Sequence, residues 1–280
     1  MKRLVIFSGV ILSLAACNEQ PAGEPIVRAE LDGSSAAEEV VDAPQEASDE
    51  AQVASACRTV SFENVPLTHC VADPAEHRIT TRLGQSGSGP FRTLSAFAVT
   101  VDKRTIAFAM NGGMYDDDAE PIGYYVEDGD RQKELNRAEG PGNFHMKPNG
   151  VFFGTGGKWR VLSADRFYST VRDRPRFGTQ SGPMLVIDGE LHPDIQDNGP
   201  SRAIRNGVGV SDDGKAHFVI SNTALSFGQI ARFYRDELKV KNALFLDGNV
   251  SSLWDPATDR LDRGVIGPMI VVTKRGSEGG

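Results

Sequence analysis

Five short segments each combine a small residue, a glycine and one or more strong polar side chains. They are Asn111-Gly112-Gly113-Met114-Tyr115, His145-Met146-Lys147-Pro148-Asn149-Gly150, Gln180-Ser181-Gly182-Pro183, Ser201-Arg202-Ala203-Ile204-Arg205-Asn206-Gly207 and Leu246-Asp247-Gly248-Asn249-Val250-Ser251-Ser252. Lys147, Arg202 and Arg205 could hold an oxyanion, the arginines with bidentate geometry. Asp247 follows an apolar run and is the first candidate for a general acid, base or nucleophile. Asn111, Asn149, Gln180, Ser181, Asn206, Asn249, Ser251 and Ser252 offer donors and acceptors for a polar ligand, and Gly112 and Gly113 let it close on the backbone. Four Asn-Gly pairs occur where 11 Asn and 30 Gly in random order would give about one. Hairpin turns explain such pairs in general, and that reading is kept for Asn198-Gly199, which precedes Pro200. The other three abut strand candidates, whose ends are where binding groups are displayed.

Other polar groups carry less. Asp116, Asp117, Asp118 and Glu120 could hold Ca²⁺ through oxygen ligands, although an acidic surface loop is the favoured reading and no cofactor is expected. His145 could act as an acid or base, whereas His69, His77, His192 and His217 have no evident partner and read as structural or surface residues. Ser181 does not sit in the G-x-S-x-G setting of a hydrolase nucleophile.

Short runs rich in β-branched and aromatic residues must position these groups. They are Thr105 to Met110, Ile122 to Glu127, Val151 to Phe153, Trp159 to Leu162, Met184 to Ile187, Gly207 to Val210, His217 to Ser221, Ala243 to Leu246 and Val265 to Val272. Asp128-Gly129, Asp188-Gly189 and Asp213-Gly214 supply tight turns. A helix is expected over Ser226 to Lys241, opened by a Ser226/Gln229 capping box, and another over Phe91 to Asp102. Arg58 to Phe62 and Leu67 to Ala72 form a hairpin around Asn64-Val65-Pro66, which a Cys57–Cys70 disulfide would staple in an oxidising compartment. The fold class is α+β: one domain over residues 56–280, with a twisted, largely antiparallel or mixed sheet and a few packed helices.

The region before it is of another kind. Lys2 and Arg3 lead an apolar run to Ala16 that has the length of a secretory signal core and is too short to span a bilayer. Leu14-Ala15-Ala16-Cys17 resembles the bacterial lipobox, which implies a signal peptide over 1–16, lipidation of Cys17 and a periplasm-facing membrane anchor, inner or outer membrane left open. Residues 17–55 read as a disordered linker, since they lack aromatic residues and any apolar period. From residue 18 to 55 there are ten acidic residues and one basic, net −9, while 56–280 nets −1. The overall charge of −8 therefore belongs to the linker, and no cationic surplus marks a nucleic-acid partner.

In order and spacing, the N-G-G-aromatic loop at Asn111, the K-P-N-G turn at Lys147, the Q-S-G-P-x-L-V-x-D-G run at Gln180, the R-N-G-V-G segment at Arg205 and the L-D-G…S-S loop at Leu246 resemble the phosphodiester glycosidase family over about residues 78 to 272. The last loop departs from the family's D-G-G-G-S pattern at Asn249 and Val250. The resemblance implies a hydrolase that removes a sugar, such as N-acetylglucosamine, from a phosphodiester. It also implies that the five segments share one site; read by residue type, Asp247, Lys147 and Arg205 are then the candidates for catalysis and the remaining polar residues for holding carbohydrate and phosphate. A glycosyl phosphodiester needs cations on its phosphate, a carboxylate near the developing oxocarbenium and an activated water, which these residue types can supply. A non-catalytic glycan- or phosphate-binding lipoprotein would use the same groups.

Overall fold

A computed structural model describes residues 54–85 and 87–276. The expected signal peptide, Cys17 and all but the last residues of the expected linker lie outside them. Every strand pairing among the described residues is antiparallel, and the strands form three sheets. The first sheet runs, in spatial order, Cys57–Phe62, Val65–Ala72, Ala216–Ser221, Asn206–Val210, Ala243–Phe245, Met184–Ile187 and Glu190–Leu191. The second runs Arg260–Leu261, Leu253–Asp255, Ile106–Asn111, Met269–Lys274 and His77–Arg82. The third runs Asp130–Lys133, Tyr125–Glu127, Phe177–Ser181, Gly150–Thr155 and Lys158–Ser163.

One aromatic cluster takes a residue from every sheet. Phe108 meets Phe218 at 5.3 Å between centroids, Phe218 meets Phe152 at 5.7 Å, and Phe152 meets Phe177 at 5.2 Å, all tilted or edge-to-face. Such geometry is the favoured one for rings in contact. Ile106–Asn111 is buried along its whole length, as the middle strand of the second sheet must be. The three sheets therefore converge on one apolar centre, and strand ends on one side of it carry the polar segments.

Several local expectations shift. The first hairpin turns at Glu63 and Asn64, both at positive φ, while Val65 and Pro66 enter the second strand. Cys57 and Cys70 are directly opposite in register and disulfide-bonded. The expected strand from Val265 begins only at Met269, and the one from Ile122 only at Tyr125. The helix after Ser226 keeps its capping box but is α-helical only over Phe227–Arg232, continues as a π turn over Phe233–Glu237, and ends where Lys239 takes φ +53°. Phe233 and Tyr234 are both buried; adjacent residues point about 100° apart on an α-helix, so the wider turn helps bury both. The earlier helix contracts to Leu94–Ala98, capped by Thr93 after Arg92 at φ +63°.

The histidines read as partnerless have partners. His77 Nδ1 accepts from Asp73 N and His192 Nδ1 from Asp194 N, each at 3.1 Å. His69 Nε2 meets His217 Nδ1 at 3.0 Å, and His217 Nε2 meets Ser211 Oγ at 2.9 Å. Burial, then the neighbouring His217 and Arg58 charges, pushes His69 down to about 4 from 6.5. Because the folded value lies below the unfolded one, His69 contributes stability above pH 6.5 that is lost as pH falls toward about 4. Thermal unfolding followed from about pH 8 to pH 4 is expected to show Tm falling below pH 6.5, with up to about 1.4 kcal/mol lost per pH unit, and a shallower fall in His69→Gln.

Candidate functional site

The site grows from Asn111, the last residue of the central strand of the second sheet, which is 1% exposed. Its Nδ2 donates to the Asp247 carbonyl at 2.8 Å, and its Oδ1 accepts from Asn206 Nδ2 at 2.8 Å and Ser252 N at 2.9 Å. Ser251 Oγ donates to Asn206 Oδ1 at 3.2 Å and approaches the Gly248 carbonyl at 3.1 Å. Main-chain bonds close the same ring: Asp247 N to Gly112 O at 3.2 Å, Leu246 N to Asn206 O at 3.1 Å and Asn111 N to Ser252 O at 3.2 Å. The backbone of Asp247 is thus held on both sides, and its half-buried side chain leaves from a fixed point.

Gly113 ties in the third sheet. Its N donates to Thr179 Oγ1 at 3.0 Å, and a Cβ built on it would lie 2.0 Å from the Gln180 carbonyl oxygen, so only glycine permits this approach. Phe245 N donates to Pro183 O at 3.0 Å, Met184 N to Pro148 O at 2.9 Å, and Gly150 faces Ser181 in register. All five polar segments are therefore brought together by direct contacts. None of the four Asn-Gly pairs adopts positive φ, which removes the hairpin reading kept for Asn198-Gly199 along with the others.

Arg205 is the unusual charge. It is 3% exposed and forms no ion pair among the described residues. Its Nε donates to Leu225 O at 3.1 Å and its Nη2 to Ser201 Oγ at 3.0 Å, while Nη1 makes no hydrogen bond among the described residues. The guanidinium stacks 3.6 Å above the Phe227 ring and lies 5.6 Å from that of Phe245. Burial alone drives it down to about 10 from 12.5. Phe245 is also pressed by Gly248, where a Cβ would fall 2.3 Å from the ring. Arg205 and the Asp247 loop thus share Phe245 as a common support, and Ser251 bonds Ile204 O and Asn206 Oδ1 on either side of Arg205.

Most of the other expected site residues are committed to protein partners. Gln180 uses Oε1 to accept from Tyr124 N and Asn136 N and Nε2 to donate to Asn136 O. Asn149 Nδ2 donates to Phe144 O. Lys147 Nζ donates to Arg137 O and pairs with Glu139, and exposed Arg202 donates to Gln229 Oε1 at 2.6 Å. Ser181 Oγ is buried without a partner among the described residues, and Ser252 Oγ donates to Val250 O. The backbone of Asn249 lies in the short turn Gly248–Val250. His145 Nδ1 sits 3.1 Å from Ala138 O. In the acidic loop, Asp116 Oδ1 accepts from Asp118 N and Glu120 N, a self-capped turn, and no three His, Cys, Asp or Glu side chains among the described residues converge as a metal site.

Thr179, Phe227 and Phe245 were not among the expected site residues. Thr179 and Ser181 share one strand face by the two-residue alternation, which makes Thr179 readable once the strand is known. Phe227 and Phe245 carry no polar signal. Tyr115 donates from its hydroxyl to Val265 O at 2.9 Å, and burial, then the Asp247 charge, raises it. Removing the hub is costly: Asn111→Ala would leave Asn206 Nδ2, Ser252 N and the Asp247 carbonyl without this partner in a buried site. Urea unfolding is expected to show a loss of about 3 kcal/mol or more.

The model of the phosphodiester glycosidase family matches residues 104–264, a span that contains all five segments. This chain belongs to the phosphodiester glycosidase family. It is 35% identical over 183 residues to the uncharacterized protein YigE of Escherichia coli strain K12, covering 65% of this chain and 71% of that one. The catalytic domain of zebrafish N-acetylglucosamine-1-phosphodiester alpha-N-acetylglucosaminidase, auto-inhibited by its pro-peptide, has the same fold at TM-score 0.54 and 16% identity, over 78% of this chain and 82% of that one.

Proposed function

We propose that the protein is a hydrolase that cleaves a glycosyl phosphodiester between the anomeric carbon and its oxygen, with an N-acetylglucosamine 1-phosphodiester as the model substrate. Family membership and the enzyme named for the zebrafish structure support the reaction class. The observation that carries it is Arg205, a buried guanidinium with no carboxylate partner among the described residues, at the hub where the five segments meet. An unpaired buried cation is expensive unless a substrate anion completes it. Its unbonded Nη1 edge is assigned to a phosphate oxygen, with Lys147 and Arg202 as outlying cations. Asp247 faces the anomeric carbon, stabilises the developing positive charge and takes a proton from the attacking water. Water supplies the new anomeric hydroxyl, the C–O bond breaks, and a phosphomonoester leaves. Asn111, Asn206, Ser251 and Ser252 act by positioning the Asp247 loop; Gly112, Gly113, Asn149, Gln180 and Ser181 shape the walls around it.

The lipobox-like Leu14-Ala15-Ala16-Cys17 supports a lipid tether at the cell envelope, with the enzyme facing the periplasm. The test is incubation of the purified protein with a panel of sugar 1-phosphodiesters and nucleotide sugars, reading free sugar. Release from at least one is expected. Ligand that binds in calorimetry yet is recovered intact after hours would instead mark a non-catalytic binding protein.

A further inference from the structure

A second cavity of about 410 Å³ lies between the helix Ala164–Thr170 and the segments that flank Tyr124. Four arginines line it, Arg131, Arg137, Arg172 and Arg174, against two carboxylates, Glu134 and Asp173. Arg131 is paired with Glu134 and Arg137 with Asp165. Arg172 and Arg174 have no ion pair among the described residues, and Arg174 makes a single long contact, 3.5 Å from Nη1 to Gly129 O. The cavity therefore presents Arg172 and Arg174 outside any ion pair, with the single Asp173 carboxylate between them in sequence, an excess of one positive charge.

Its aromatic side is equally specific. Tyr168 is 62% exposed although large, and Arg137 covers one face of its ring at 4.4 Å. The ring is left as a platform. Tyr124 is 96% removed from solvent, rests 4.8 Å from Phe167, and its hydroxyl makes no hydrogen bond among the described residues. Burial raises the Tyr124 hydroxyl above its ordinary value, while the charges of Arg131 and Arg174 pull it down and that of Glu134 pushes it up, and all four residues line the cavity. A phenol whose ring is buried and whose hydroxyl stays open to the cavity, beside guanidinium groups outside any ion pair and an exposed ring, is the makeup of a polar pocket.

We propose that this cavity binds an anionic sugar unit, one bearing a phosphate or a carboxylate. The sugar ring packs on Tyr168, the anion is held by Arg172 and Arg174, and the Tyr124 hydroxyl bonds a ring substituent. Arg137 also lines the small cleft beside Lys147, Pro148 and Asn149, so a longer glycan bound here would run toward the five-segment site. The cavity is separate from the hydrolytic reading, because its ligand is held and not cleaved.

The experiment titrates the whole protein by calorimetry with glucose 6-phosphate, glucuronate, glucose and inorganic phosphate. Both anionic sugars are expected to bind at least about tenfold more tightly than glucose or inorganic phosphate. R172S/R174S should weaken both by about tenfold or more, and Y168A should weaken both by about fivefold while leaving inorganic phosphate binding little changed. These side chains lie on the surface, so Tm should stay unchanged; if a variant unfolds, the four ligands on the parent protein still decide. No binding of either anionic sugar, equal binding of inorganic phosphate and glucose 6-phosphate, or undiminished binding in folded variants would overturn the proposal. Since the readout is binding, a protein that fails to hydrolyse any phosphodiester can still pass or fail it.

Discussion

Asp247→Asn is expected to lower sugar release by about 10³-fold or more while leaving Tm within about 2 °C of the parent. The magnitude follows from removing a general acid or base, worth about 10² to 10⁴, together with the loss of negative charge beside a developing oxocarbenium. Stability should hold because the structure grips this residue through its main chain. Its N donates to Gly112 O and its carbonyl accepts from Asn111 Nδ2, and asparagine keeps both. KM is expected to change little, since the carboxylate acts on the transition state and not on ground-state binding. The matching measurement is kcat and KM on the best substrate of the panel, with Tm by calorimetry. A variant with parental kcat would remove Asp247 from the chemistry.

Arg205→Met should be nearly as damaging to turnover, by about 10² to 10³-fold, with a different signature. An arginine that grips the phosphate contributes in both ground and transition states, so KM rises as kcat falls. Tm is expected within about 3 °C of the parent. Methionine preserves the packing over Phe227 and Phe245 and removes a charge that burial disfavours, which offsets the hydrogen bonds lost to Leu225 O and Ser201. Arg205→Lys keeps the charge without the planar fork and should retain an intermediate rate. A large fall in Tm with undiminished kcat in Arg205→Met would mark Arg205 as a structural residue only.

The tight turns were legible because their chemistry is local. Asp128-Gly129 and Asp188-Gly189 sit at positive φ at both residues, as their types demand. Apolar runs such as Met184–Ile187 match to the residue. His77–Arg82 escaped notice because its outward face carries arginine and threonine, and Phe177–Ser181 because Gly, Thr, Gln and Ser resemble a loop when met alone. For the site, the identity of the five segments was readable, whereas the direction of each side chain was not. Asn111 and Gln180 look like ligand-binding amides in sequence; in three dimensions their groups are spent on backbone atoms, and for Asn111 also on the Asn206 side chain, from distant segments. Arg205 gives no sign of burial without Phe227 and Phe245, which reach it only after the first sheet is assembled. Local propensity cannot encode such long-range satisfaction of polar groups.

Cleavage between the anomeric carbon and its oxygen, the central claim, is tested most directly by running the hydrolysis in ¹⁸O-labelled water. Mass spectrometry of the two products then shows which bond broke. Label in the anomeric hydroxyl of the released sugar, and none in the phosphomonoester, is the result expected from water attack at carbon beside Asp247. Label in the phosphate would make the protein a phosphodiesterase acting at phosphorus and would contradict the account.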